Sequence, residues 1–156
     1  FSLYTAFSYE CLAMDEGLGT GDIDFINPFA ITLTLKSSNF RENNQNIRHF
    51  LNRLNQSYLQ NSYRRYKKRL TVLVASEGNG DIRNHHHLII DNPFLERDRE
   101  FVRKVRESWI KSELGLRKIE VEKMKGDGWI KYITKFKSKP IYKDSFDFEN
   151  FHINKH

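Results

Sequence analysis

The chain has 156 residues, of which 38% are hydrophobic and 29% charged, with a formal net charge of +6 and a pI near 9.4. That length buries the core of one domain without disulfides or a structural metal as staples, so a metal here would serve function. The single cysteine, Cys11, excludes an internal bridge, and no apolar run approaches the roughly 20 residues needed to span a bilayer, which points to an intracellular, soluble protein.

Residues 1–28 are loosely patterned, with the turn-rich "DEGLGTGD" at 15–22, and read as an N-terminal extension. After Pro28, "FAITLTLK" alternates Phe29, Ile31, Leu33 and Leu35 with smaller or polar residues, the period of a half-buried strand. From about residue 44 to 67, Ile47, Phe50, Leu51, Leu54, Tyr58 and Leu59 recur three and four apart, predicting an amphipathic helix. The strand "LTVLVASE", a glycine turn and the strand "HHHLIID" follow. A second helix is predicted over about 97–114 and stopped at Gly115; "RKIEVEKM" alternates as a strand, and a short helix at about 129–137 ends before Pro140. The tail "DSFDFENFHINKH" has no clear period. Two helices that need one apolar sheet face predict an α+β fold, an antiparallel sheet with the helices on one side and the other side left free for chemistry.

The three consecutive histidines stand mid-chain and lead into Leu88, Ile89 and Ile90, unlike a terminal tag. In a strand His85 and His87 share one face while His86 points to the other, where it reads as structural. Two imidazoles make half a metal site, and Glu77 on the neighbouring strand could complete it. It shares the histidines' face if the hairpin loop has an odd number of residues, as a three-residue loop Asn79, Gly80, Asp81 would have. In that register Thr71, Leu73 and Ala75 lie on the same open face, and Leu70, Val72, Val74, Leu88 and Ile90 face the helices. Solvated histidines remain the alternative, and the donor set suits zinc, manganese, iron or magnesium.

In "GWIKYITKF", Tyr132 and Lys135 lie three apart and share one face of the short helix. A phenol is a poor nucleophile at neutral pH unless a cation or metal favours its anion, and Lys135 could supply that charge. The ordinary alternative is a half-buried core tyrosine beside Trp129, Ile130 and Ile133.

The strand "FAITLTLK", Glu77 eight residues before "HHH", and "YITK" on a late helix resemble the three ordered motifs of the HUH single-strand DNA endonucleases. The similarity is to their single-tyrosine rolling-circle replication initiator (Rep) branch, and it covers residues 29–139, between the extension at 1–28 and a tail at 140–156. The resemblance implies a ferredoxin-like (split βαβ) sheet of about four to five strands with the active site on the face away from the helices. It implies a divalent cofactor, Mn²⁺ or Mg²⁺, held by Glu77, His85 and His87, with Tyr132 as nucleophile and Lys135 stabilising the phosphate or the phenolate. Some relatives carry an acidic residue directly after the motif lysine; Phe136 stands there instead, leaving Asp144 or Asp147 as substitutes. Phe136 also occupies the place where a second tyrosine would stand in two-tyrosine initiators.

The implied activity is nicking and rejoining of single-stranded DNA or an origin hairpin through a 5′-phosphotyrosine bond. Host helicase and polymerase would be partners, no membrane would be involved, and the protein would act as a monomer or weak dimer in a prokaryotic cytoplasm rather than a nucleus. Basic runs at 64–69 (RRYKKR), 97–106 and 123–139 suit a nucleic-acid partner. Candidate DNA contacts are Thr32, Thr34, Arg83, Asn84, Lys123, Lys125 and Lys131. Three other readings stay open: an HUH transposase of a small insertion sequence, a non-catalytic single-strand-binding module, and a zinc hydrolase using Glu77, His85 and His87 with water.

Overall fold

In the computed structural model, which describes residues 25–35, 39–79, 82–112, 115–125 and 147–154, the alternating stretch forms strand β1, Pro28–Leu35. Phe29, Ile31, Leu33 and Leu35 all enter the core. Helix α1, Phe40–Leu59, begins four residues before the apolar stripe suggests, because the Asn39 side chain accepts a hydrogen bond from the Glu42 amide (3.1 Å) and caps it. It also ends sooner. Gln60, at φ 48° and ψ −115°, breaks the axis, and a separate short helix α2, Asn61–Tyr66, carries the chain onward. The reason is burial: α1 sinks Ile47, Phe50, Leu51, Leu54 and Tyr58 into the core, whereas α2 buries nothing that would keep it in line.

Strands β2 (Val72–Asn79) and β3 (Ile82–Asp91) form the hairpin, followed by helix α3 (Asp98–Ile110) and strand β4 (Gly115–Lys123). Helix α3 stops at Ile110, short of the expected 114. The Ser112 amide turns back to the Trp109 carbonyl (2.8 Å), and Gly115, expected as a helix stop, opens β4 instead. The sheet order is β2-β3-β1-β4 with every neighbouring pair antiparallel. Helix α1 connects β1 to β2 across β3, and α3 connects β3 to β4 across β1, which is the split βαβ, ferredoxin-like topology the sequence suggested.

Both long helices pack on one face. Phe50 meets Trp109 edge-on at 5.5 Å and Phe29 meets Phe101 at 4.8 Å, tying α1, α3 and β1 into one cluster. Full burial of each such side chain contributes about 1.5–3 kcal/mol. As expected, Leu70, Val72, Val74, Leu88 and Ile90 belong to this cluster. The other face is less open than expected: Leu73, Ala75, Ile89 and Thr71 are as buried as the core. Accessible surface on that face is found toward its His85 and His87 end.

The patternless tail has a defined place. Val72 and His152 exchange both backbone hydrogen bonds (2.7 and 3.1 Å), and the Asp147 amide donates to the Val74 carbonyl (2.9 Å), so residues 147–154 run along the outer edge of β2. An edge strand left bare is a template for unwanted pairing, and this segment covers it. Asn150 fixes the turn Phe148–Asn150 by donating to Asp147 (2.5 Å) and to Asn44 on α1. At the end of the sheet far from the hairpin, the Asp91 carboxylate accepts from the Ile26 and Asn27 amides (3.0 and 2.7 Å), which pins the start of β1 to the end of β3.

Candidate metal centre

The hairpin register decides which side chains share the open face. Asn79 pairs with Ile82, so Asn79 belongs to the ladder and the expected three-residue loop is reduced to residues 80–81, which lie outside the described residues. An even loop alone would place Glu77 opposite Asn84. The ladder corrects this with a bulge: between Asn79 and Glu77 the chain takes two steps, while between Ile82 and His85 it takes three. Glu77 therefore stands directly opposite His85, Ser76 opposite His86 and Ala75 opposite His87. The parity required for a shared face is met, by an extra residue in β3 rather than in the loop.

Strand β1 approaches from the other side, with Thr34 opposite His85 and Thr32 opposite His87. Each threonine hydroxyl lies 3.3 Å from Nδ1 of the imidazole it faces. The two rings stand side by side, centroids 6.2 Å apart and planes 30° apart. A ring whose Nδ1–H donates to a fixed hydroxyl is held in one tautomer and one orientation, and Nε2 is then the nitrogen through which it would take a metal. Such outer partners are a usual accompaniment of metal-binding histidines. The donor set, two imidazoles with an oxygen partner each and a carboxylate in the adjoining register position, suits a divalent ion.

His86 is different in every respect. It points into the helix-side core beside Leu33, is almost wholly buried, and its Nδ1 lies 2.9 Å from the Ser76 hydroxyl. Burial, with a smaller contribution from His87, pushes its pKa down to about 3, so it is neutral in the folded protein. The expectation that His86 is structural agrees with this placement.

The remaining site residues of the sequence reading are dispersed. Thr34 is buried against His85 and Thr32 is half-buried against His87, so each has a nearer partner than DNA. Arg83 and Asn84 occupy the bulged start of β3, and their side chains, like that of Glu77, lie outside the described residues. Lys123 is paired with Asp98 (2.8 Å) at the far end of β1 and β4, and Lys125 is exposed just beyond it. Tyr132, Lys135, Lys131 and Asp144 lie outside the described residues. Asp147 is committed to the edge clip, where burial pushes its carboxyl above the usual range. Among the described residues no group of three metal-ligating side chains is assembled. One residue that the sequence reading passed over is Glu120, opposite Thr32 in the same cross-strand row as His87. The alternation of "RKIEVEKM" could have signalled its face, but not its neighbour.

Residues 28–141 match the family model described as Replication-associated protein, of the ORF2 type. No curated protein and no solved structure matches the chain.

Proposed function

The chain belongs to this replication-associated protein family, and from that premise we propose that it is a rolling-circle replication initiator that nicks and rejoins single-stranded DNA through a covalent bond to Tyr132. The observation that carries the reading is the ladder that sets Glu77 opposite His85, with each of the two same-face imidazoles backed by a threonine of β1. Glu77, His85 and His87 would hold a divalent ion, Mn²⁺ or Mg²⁺, which when bound supplies Lewis-acid polarisation of the scissile phosphodiester.

The chain's own groups do the rest. Thr32 and Thr34 keep the two rings in the tautomer that offers Nε2 to the metal. The Tyr132 phenolic oxygen attacks phosphorus, the bond to the 3′ oxygen breaks, and the phenolic proton is passed to that oxygen, leaving a 5′-phosphotyrosine and a free 3′-OH. Lys135 stabilises the phenolate or the phosphate. Because one phosphodiester replaces another, a 3′-OH can attack the adduct and rejoin strands.

The test is incubation with a pool of random-sequence single-stranded oligonucleotides labelled at the 3′ end, with Mn²⁺, followed by a denaturing gel. The expected product is a labelled band at protein size that disappears in Tyr132→Phe and with chelator. Cleavage without an adduct would assign hydrolysis by water, and binding without cleavage would assign a non-catalytic module.

A further inference from the structure

The net positive charge of the protein is concentrated in one segment. Residues 43–76 contain no Asp or Glu and seven Arg and Lys, while the rest of the chain carries 19 cations against 20 carboxylates. Within that segment Arg64, Arg65, Lys67 and Lys68 are exposed, and among the described residues none of the four is in an ion pair. Cations elsewhere on the surface behave otherwise: Arg97, Arg103 and Lys123 each hold a carboxylate at 2.8–3.0 Å.

An aromatic ring lies among the four. Tyr66 is 71% exposed, the most of any large hydrophobic side chain described. The platform beneath is ordered by the fifth cation of the run. Arg69 is half-buried, donates to Asn52 of α1 (2.6 Å) and lies over the Tyr63 ring at 5.6 Å. The Lys67 and Lys68 amides return to the Tyr63 and Ser62 carbonyls (3.1 Å each), closing α2. Lys67 adopts a left-handed conformation (φ 54°, ψ 29°) just past a helix end, a position that usually favours glycine. A long cation has been placed there in spite of its backbone cost.

We infer that Arg64, Arg65, Lys67, Lys68 and Tyr66 form a second contact for single-stranded nucleic acid, separate from the cleavage centre. Cations to neutralise phosphates and an exposed ring on which a base can stack are the two ingredients of sequence-tolerant single-strand binding. The patch precedes Val72 and Glu77 lies five residues beyond it, so at about 3.3 Å per residue the two are at least ~17 Å apart along β2. It would hold the flank of a strand whose scissile phosphate lies at the histidines. The inference deepens the proposed function by assigning where the uncleaved flank is held.

The experiment is fluorescence anisotropy over a series of salt concentrations, in chelator so that no cleavage is required. A mixed-sequence single strand of about 20 nucleotides is compared with one of about 5, which bracket the span of common single-strand grooves. In the variant R64Q/R65Q/K67Q/K68Q the slope of log K against log salt should become shallower by about 3 for the long strand, at 0.7 per phosphate contact, and stay unchanged for the short one. Tyr66→Ala, which alters no charge, should weaken the long strand about 10-fold with its salt slope intact. Arg103→Gln on α3 serves as the control, and thermal melts establish that each variant is folded.

A slope unchanged in the quadruple variant, or lowered equally for both lengths, would overturn the inference. A loss confined to duplex of the same length would overturn the single-stranded occupant. Absence of a Tyr132 adduct leaves this result untouched, so the two readings fail separately.

Discussion

Thr34 Oγ1 stands 3.3 Å from Nδ1 of His85, and the contact repeats two residues along the ladder between Thr32 and His87. The repetition is a consequence of register: β1 lies between β3 and β4, and its inward threonines alternate in step with the outward histidines. Two strands far apart in sequence thus build one set of oriented imidazoles.

The first expectation concerns this pair of contacts. Thr34→Val keeps the shape and removes the oxygen, and should weaken Mn²⁺ binding by about 10- to 100-fold, the usual effect of removing an outer partner of a metal-binding histidine. Thr34→Ser should restore most of it. Calorimetric titration with Mn²⁺ gives the affinities, and the nitrogen chemical shifts of His85 report whether the Nδ1–H tautomer has been lost. Equal affinities in Val and Ser variants would remove the threonines from the account.

A second expectation separates His86 from its neighbours. In the unfolded chain His86 takes a proton near pH 6.5, but in the folded chain burial delays this to about pH 3. The unfolded state therefore binds more protons between those values. Stability is fully present above the unfolded pKa and is lost as pH falls toward the folded one, by at most about 1.4 kcal/mol per pH unit. Between about pH 7 and about pH 5 the wild-type protein should lose roughly 2 kcal/mol more than His86→Leu, measured by urea unfolding in chelator. Parallel losses would show that His86 is not the buried neutral group described.

The edge clip supplies a third. Asn150 is buried and donates to both Asp147 and Asn44. Asn150→Ala leaves a buried carboxylate without that donor and should cost about 1–3 kcal/mol in urea unfolding. Loss of residues 147–156 should go further, baring the β2 edge and producing concentration-dependent association in sedimentation. A monomer with unchanged stability would mean the clip only decorates the edge.

Period-two alternation in β1 and three-four spacing in α1 were legible because each reports one buried face, and Phe29, Ile31, Phe50 and Leu54 are buried accordingly. The shared face of His85 and His87 followed from the same rule. The bulge did not, since it depends on how residues 78–84 close the hairpin, which no local period encodes. The Thr32 and Thr34 contacts were missed because they need the register of β1 against β3, strands joined only through α1, α2 and β2. The break at Gln60 left only a negative trace, the absence of apolar residues to bury after Leu59. The clip at 147–154 is held by backbone and amide hydrogen bonds, so hydrophobic pattern is silent about it.

The central claim is a covalent bond between DNA and Tyr132, and mass spectrometry of the nuclease-trimmed adduct tests it most directly. The expected result is a single tryptic peptide containing Tyr132 and carrying a 5′-linked nucleotide, formed with Mn²⁺ and absent in His85→Ala. A nucleotide on any other residue, or cleaved DNA with no modified peptide, would contradict the account.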